Sequence, residues 1–429
     1  MAPDLLLAGG VLLDPRTGER RRADLLVRDG RVARVGEGLQ AGEGVRTYDA
    51  AGKLISPGWM DMHVHLREPG QEHKETIETG ARAAAFGGFT AVACMPNTDP
   101  PIATRDVVEF IKKRAEGLPV DVYPIGAVSK GREGKEMAEL GDMAAGGAVA
   151  FSDDGAPVQH AGLMRRALEY VRTLDKPILA HEEDRDLNPH GHMHEGEVAA
   201  RLGLPGIPAL AEEVMIARDV LLADFTGGHV HVCHISTCLA VALVRQAKAA
   251  GIRVTAEAAP HHFALTDEAV EASGYDTHTK MHPPLRTAAD VEAIKEGLRD
   301  GTIDAIATDH APHAVFEKEV EFAAAPFGIL GMETCWGLVG RELIGPGVLT
   351  VAEAVYKLTV APREILRLPM PTLDEGAEAC LTIFDAETEW TFEEAHIRSK
   401  SKNTPFVGAP MVGRAWAIYN KGQFVEAAL

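Results

Sequence analysis

The chain is short of positive charge. It has 43 Lys and Arg against 63 Asp and Glu, a formal net charge of -20, and no clustered basic face of the kind a phosphate backbone requires. Nucleic acid is thereby set aside as a partner, and a small molecule is expected instead. The chain also lacks any run of 18 or more apolar residues, so no membrane-spanning segment is expected. Its opening, "MAPDLLLAGGVLLDPRTGERRR", has neither a basic leader nor a small-residue cleavage site, and a cytoplasmic location is the expectation. Cysteine is scarce: Cys94, Cys233, Cys238, Cys335 and Cys380 are an odd number without C-x-x-C spacing. That argues against a disulfide framework or a cysteine zinc site and predicts reduced core thiols. Internal repeats, low-complexity tracts and long charge runs are absent as well.

What is present is an ordinary globular composition, 46% hydrophobic and 25% charged over 429 residues. This suits one large α/β unit with a small accessory domain. Residues 1–56 hold short alternating runs such as "LLLAGGVLLD" and "ADLLVRDGRVARVG" between Gly and Asp turn signals, which predicts a small antiparallel sheet. From Gly58 onward, β-type runs alternate with helical patterns such as "ETIETGARAAAFG" and "AEEVMIARDVLLADF". The β-type runs are "GWMDMHVH", "GFTAVACM", "VDVYPIGAV", "GGAVAFSDD", "PILAHEED", "HVHVCHIS", "RVTAEAAP" and "DAIATDHA". Eight β-then-α units predict a (β/α)8 TIM-type barrel over residues 57–365. Turn-bounded strands return in "ACLTIFDAETEW" and "MVGRAWAIYNKGQFVE". Residues 1–56 and 366–429 are therefore expected to pair into one accessory β-sandwich domain built from both termini.

Chemistry-bearing residues gather at the ends of these runs. The pair His63 and His65 proves little alone, because with 18 His in the chain chance supplies roughly 0.75 H-x-H pairs. Six of the eight runs, however, end in His, Asp or Asn: His63 and His65, Asn97, Asp153 and Asp154, His181, His234, and Asp309. In a parallel barrel those ends share one rim, and residues i and i+2 of a strand share a face. A mixed His and carboxylate set of this kind suits Zn²⁺, with Mn²⁺ or Co²⁺ as alternatives. Strand parity, with Val230 and Val232 taken as barrel interior, places His234 inward and His229 and His231 toward the helix layer. His190, His192 and His194 read as a solvated surface loop, His261 and His262 as rim or packing residues, and Met60 and Met62 as core filler.

The motifs "DMHVHLREPG", "MPNT" at 95–98, "FSDDG" at 151–155, "AHEED" at 180–184, "HVCHIST" at 231–237, "KMHPPLR" at 280–286, "IATDHAPH" at 306–313 and "APFGI" at 325–329 occur in one order over nearly the whole chain. In these the chain resembles the class I dihydroorotases of the amidohydrolase superfamily. The resemblance implies reversible hydrolysis of (S)-dihydroorotate to N-carbamoyl-L-aspartate by a metal-bound hydroxide, the third step of de novo pyrimidine (UMP) biosynthesis. It implies two Zn²⁺ per chain, the first on His63 and His65, the second on His181 and His234, with Asp154 bridging them. Asp309 would bind the first ion and shuttle the proton. Arg67, Asn97 and His313 would meet the substrate, with His65 beside it and the backbone of Phe327 and Gly328. The family usually has Asn where this chain has His282, so the substrate-ring contact there falls on an imidazole. Without the resemblance, Arg67 reads equally as a rim salt bridge to Glu68.

Other readings are a hydantoinase or allantoinase-type cyclic amidohydrolase, disfavoured because the fourth run has no Lys, and a metal-free structural partner of aspartate transcarbamoylase. A homo-oligomer is expected, and a docked aspartate transcarbamoylase is compatible with activity. The segment 310–328, rich in Ala and Glu, is expected to form a mobile lid.

Overall fold

The structure is a computed structural model that describes residues 4–188 and 190–427. Its centre is a layer of parallel strands. Trp59–Val64, Phe89–Cys94 and Asp121–Pro124 pair in parallel, as do Ile178–Ala180, Val230–Val232, Val254–Ala258 and Ala305–Ile306. The fourth β-type run is less regular than its sequence predicts. Only Phe151 pairs, in parallel with Gly126 and with Ile178. It is nevertheless held from both sides, by Ser152 N donating to Gly126 O at 2.8 Å and Leu179 N to Phe151 O at 2.8 Å. Val64 pairs in parallel with His310, and His65 N donates to His310 O at 2.8 Å.

Helices follow these strands and start where the sequence supplies caps. Thr76 and Thr79 make a capping box ahead of Ile77–Phe86, and Thr287 with Asp290 does the same for Ala288–Asp300, each satisfying amides the first turn leaves open. Among the described residues no helix is long and apolar enough to cross a membrane. The buried side chains split into two main clusters here. One joins Val64, Val92, Ile178, Val230, Val232 and Val254 to the helices. The other lies on the opposite face of the strands and contains Met60, Met62, Ala93, Leu179 and Ala305, with Ala361 and Ile365 of the helix Val351–Leu366. Met60 and Met62 are thus core filler, as expected. Met60 and Met62 share this face by simple alternation, and the strand pairing slips between Asp61 and Val64.

The two ends of the chain do share sheets. Leu54–Pro57 pairs antiparallel with Leu381–Thr391, which pairs with Pro410–Asn420. The sheet predicted for residues 1–56 is neither single nor wholly antiparallel. Leu5–Ala8 joins Asp24–Arg28, Arg31–Gly36 and Arg46–Asp49 in one four-stranded sheet, whereas Val11–Leu13 belongs to the six-stranded sheet with the C-terminal strands. Two of the pairings, Leu5–Ala8 with Arg46–Asp49 and Val11–Leu13 with Leu54–Pro57, are parallel. The switch between sheets falls at Gly9, whose φ of +73° is open to glycine at little cost. The sheets share a buried cluster that includes Leu5, Leu25, Ile55, Leu381 and Tyr419. Three of the five cysteines are buried thiols, but Cys238 is exposed at the start of the helix Cys238–Ala249, against the expectation of a core residue.

Candidate active site

The strand ends converge on one buried cluster. His63, His65, Asp154, His181, His234 and Asp309 are all buried. Asp154 stands at the centre: its Oδ1 lies 3.5 Å from His63 Nε2 and 3.6 Å from both His181 Nδ1 and His234 Nε2, and its Oδ2 lies 3.4 Å from His65 Nε2. Asp309 Oδ1 is 3.0 Å from His65 Nε2 and 3.5 Å from His63 Nε2. Two groups of ligand atoms, His63–His65–Asp154 and Asp154–His181–His234, therefore meet at one carboxylate. Its neighbour Asp153 faces away, with Oδ1 accepting from Val128 N at 2.9 Å and Ser129 N at 3.1 Å.

The donor set fits divalent cations. His63 Nε2 and Asp154 Oδ1 are buried without a hydrogen-bond partner, and uncompensated buried polar atoms are costly. The outward nitrogens are already spoken for: His63 Nδ1 donates to Glu257 Oε1 at 2.5 Å, and His65 Nδ1 donates to Asn97 Oδ1 at 2.7 Å. Both rings thus turn an Nε2 lone pair toward the carboxylates, the usual arrangement of a metal-ligating His steadied by an oxygen behind it. Burial pulls the His63 pKa down, but Glu257, Asp154 and Asp309 outweigh it and hold the group well above the usual imidazole value. Burial acts upward on Asp309, and His63 and His65 outweigh it to keep the carboxyl below the ordinary carboxylate range. Burial dominates at His65 and lowers its pKa.

Backbone strain accompanies the chemistry. Arg67, His234 and Asp309 have φ of 62°, 33° and 49°, a region that costs a non-glycine residue on the order of 1–3 kcal/mol. The left-handed turn at His234 takes its ring out of the alternation of Val230–Val232 and toward the rim.

Strand parity had predicted the opposite placement for His231. Val230 and Val232 lie in the helix-side cluster, so His231 shares the inner face with its paired neighbours Leu179 and Thr255. It contacts Glu257 Oε2 at 3.1 Å through Nε2 and Thr255 Oγ1 at 2.9 Å through Nδ1. His229 reaches the same hydroxyl at 2.8 Å. Val occupies both faces of a doubly covered parallel sheet, which is why its parity misled. Glu257, the carboxylate behind His63, escaped the sequence reading. Its signal was a lone acid in the strand Val254–Ala258, which otherwise holds only Val, Thr and Ala.

Above the cluster opens a cavity of about 320 Å³, lined by His65, Arg67, Asn97, Asp154, His181, His234, His282, Asp309, His313, Phe327 and Gly328. Every residue expected to meet the substrate is on its wall. Arg67 Nε donates to Pro312 O at 3.1 Å, and its Nη2 is 3.4 Å from His313 Nε2. The rim salt bridge to Glu68 does not form; Glu68 instead accepts from Arg114 Nε at 2.7 Å. His313 Nε2 donates to Phe327 O at 2.8 Å, and burial, with Arg67 close by, lowers its pKa strongly. His282 does not merely pack beside its prolines: it donates from Nε2 to Glu183 Oε1 at 2.8 Å, and burial lowers its pKa against the pull of Glu183.

The segment 311–328 is fastened by residues the sequence did not single out. Lys318 Nζ donates to Thr277 O at 3.1 Å and Pro326 O at 2.7 Å, while Lys280 Nζ donates to Phe322 O at 2.8 Å and Ala323 O at 2.9 Å. Burial lowers the two ammonium pKa values to about 7 and about 8 respectively. Asn403, from the C-terminal part of the chain, donates to Ala311 O at 2.9 Å and Gly328 O at 3.1 Å and accepts from His313 N at 3.0 Å. Outside the cavity, His261 and His262 are packing residues, the latter donating to Pro283 O at 2.9 Å. Of the loop histidines His190 is exposed, but His194 is buried against Arg286 at 3.1 Å, because Met193–His194 pairs with Gly206–Ile207.

Comparison with known proteins points to one family. Residues 52–239 match a family model described as dihydro-orotase-like. The chain is 54% identical to a dihydroorotase of Pelotomaculum thermopropionicum, with 98% of each chain covered. It is 51% identical to a dihydroorotase of Anaeromyxobacter sp. (strain K), covering 99% of this chain and 98% of that one. Among solved structures it resembles the L-hydantoinase (dihydropyrimidinase) of Arthrobacter aurescens, with a TM-score of 0.87 at 27% identity over 99% of this chain and 96% of the other. It likewise resembles a D-hydantoinase (dihydropyrimidinase) from Thermus sp., with a TM-score of 0.81 at 25% identity over 98% and 96%. With more than half of its residues shared along nearly its entire length with a dihydroorotase, and the family's motifs meeting at one buried His and Asp cluster, the chain belongs to the dihydroorotase family.

Proposed function

We propose that the protein is a dihydroorotase that interconverts (S)-dihydroorotate and N-carbamoyl-L-aspartate in the cytoplasm, within de novo pyrimidine synthesis. In this reading residues 57–365 form a closed (β/α)8 barrel, and residues 1–56 and 366–429 form the accessory β-sandwich. One observation carries the function: a cavity that sets Arg67, Asn97 and His313 against a buried His and carboxylate cluster, in a chain about half identical to dihydroorotases.

His63, His65 and Asp309 would hold one Zn²⁺, His181 and His234 a second, and Asp154 both. Such ions, when bound, polarise the scissile carbonyl and lower the pKa of water to about 7. The remaining work falls to the chain. Asp309, ionised and facing the cavity, accepts the proton of the attacking water and returns it to the departing ring nitrogen, one carboxylate serving as base and then acid. Arg67 offers its guanidinium to the substrate carboxylate, a geometry suited to two parallel hydrogen bonds. Asn97, its Oδ1 engaged by His65, has its Nδ2 left as a donor for the same carboxylate. His313 and the backbone of Phe327 and Gly328 close the far wall, and Arg132, donating to Asp154 O at 2.5 Å, steadies the turn that presents the central carboxylate.

The likeness to hydantoinases favours a second reading, hydrolysis of hydantoin-type rings. Asp154 in place of a Lys at the end of the fourth run, and the cation and amide placed for a substrate carboxylate, support dihydroorotate instead. The test is hydrolysis of dihydroorotate beside hydantoin and dihydrouracil on purified protein of measured metal content. Turnover of the carboxylate-free rings at comparable kcat/KM would overturn the assignment. This reading also has the chain as a homo-oligomer, tested by light scattering, and names aspartate transcarbamoylase as the protein to test for docking.

A further inference from the structure

His282, on the cavity wall, is paired with a carboxylate. Glu183 is buried just past the strand Ile178–Ala180, two residues after His181. Its Oε1 accepts from His282 Nε2 at 2.8 Å and from Asn188 Nδ2 at 2.7 Å, and its Oε2 lies 3.8 Å from His181 Nε2. An ionised carboxylate only accepts, so the proton of neutral His282 resides on Nε2 and Nδ1 carries a lone pair. Among the described residues nothing donates to that Nδ1, and the side chain, 19% exposed, is part of the cavity wall. The ring is also confined, stacked on Phe327 with centroids 4.8 Å apart and lying 4.8 Å from the His181 ring.

We propose that Glu183 is a positioning residue that locks His282 in its Nε2–H tautomer, so that Nδ1 presents a fixed acceptor to a ring N–H of dihydroorotate. The substrate's carboxylate and ring carbonyls are all acceptors, and its ring N–H groups are its donors. A wall group that only accepts therefore selects for a ring N–H. An amide side chain in this position offers either character after a half-turn, whereas His282 held by Glu183 offers one. The inference rests on dihydroorotate being the substrate.

The test is a double-mutant cycle of Glu183→Leu and His282→Asn, with Glu183→Gln as the conservative variant. Steady-state kinetics on dihydroorotate and on its derivatives methylated at each ring nitrogen are combined with metal analysis and 15N NMR of His-labelled protein. Glu183→Leu is expected to raise KM roughly tenfold, the scale of one buried hydrogen bond, with kcat within about twofold and metal content unchanged. Glu183→Gln, which keeps an acceptor oxygen, should recover most of the loss. The double variant should equal His282→Asn alone, because Glu183 acts through His282. Wild-type His282 should show the Nε2–H pattern by NMR, and one of the two methylated rings should lose its penalty in His282→Asn. Additive losses in the cycle, loss of metal in Glu183→Gln, or an Nδ1–H tautomer in the wild type would each overturn the proposal. Failure of the wild type to turn over dihydroorotate would overturn the substrate reading alone, since the tautomer is read without substrate.

Discussion

The floor of the cavity and its far wall are held in different ways. On the floor, His63, Asp154, His181, His234 and Asp309 come from the ends of neighbouring strands, and their steadying partners Glu257 and His231 belong to the same layer. These contacts stay within the strand layer, even where the partners are as far apart in sequence as His63 and Glu257. The wall around His313, Phe327 and Gly328 has no strand of its own. It is pegged by the side chains of Lys280, Lys318 and Asn403, the last of these 90 residues from the His313 amide it accepts from. A floor of this kind keeps a metal set in place whatever the wall does, so damage to the two should separate into loss of kcat or metal on one side and loss of substrate affinity on the other.

The sharpest break comes at the floor. Asp309→Asn should lower kcat by ~10³-fold while most of the metal stays, because the proton shuttle disappears and the other ligands remain; ordinary turnover at full metal content would contradict its role. Asp154→Ala should abolish most turnover and release at least one metal equivalent. Asp153→Ala, which removes only the hydrogen bonds to Val128 and Ser129, should keep its metal and much of its activity, and mass spectrometry of the bound metal separates the two. At the wall, Asn403→Ala should raise the KM for dihydroorotate roughly tenfold, for the hydrogen bonds lost between two loops, with metal content equal to wild type. A fall in metal instead would show that floor and wall are mechanically one. The smallest effect is expected from Lys318→Met, which frees one anchor of the segment 311–328. Limited proteolysis within 314–324 should quicken a few-fold, and dihydroorotate should slow it, as for a loop that closes on substrate.

The same division decided what could be read from the sequence. The His and Asp residues of the floor were legible because they sit in short motifs at the ends of strands, and His282, His313, Phe327 and Gly328 because they sit in short motifs of their own, though no strand carries them. Asn403 and the two lysines were not, since nothing in "SKSKNTPFVG" or in "HAVFEKEV" says which distant carbonyls these side chains will meet. His231 was misplaced by a local rule applied where it does not discriminate, as both faces of the strand layer are apolar. In the N-terminal region the alternation of "LLLAGGVLL" was read correctly as strand. Its division between two sheets depends on partners at residues 25–27 and 46–49 for the first half and 20–22 and 54–55 for the second, which the alternation does not name.

The peg at Asn403 gives the molecule an order of assembly. During synthesis every ligand position, from His63 to Asp309, leaves the ribosome before residue 403 does. The residues of the cavity floor are thus all made before the side chain that fastens its wall, and the strand Pro410–Asn420, which packs Met411, Ala415 and Ile418 into the main core, comes later still.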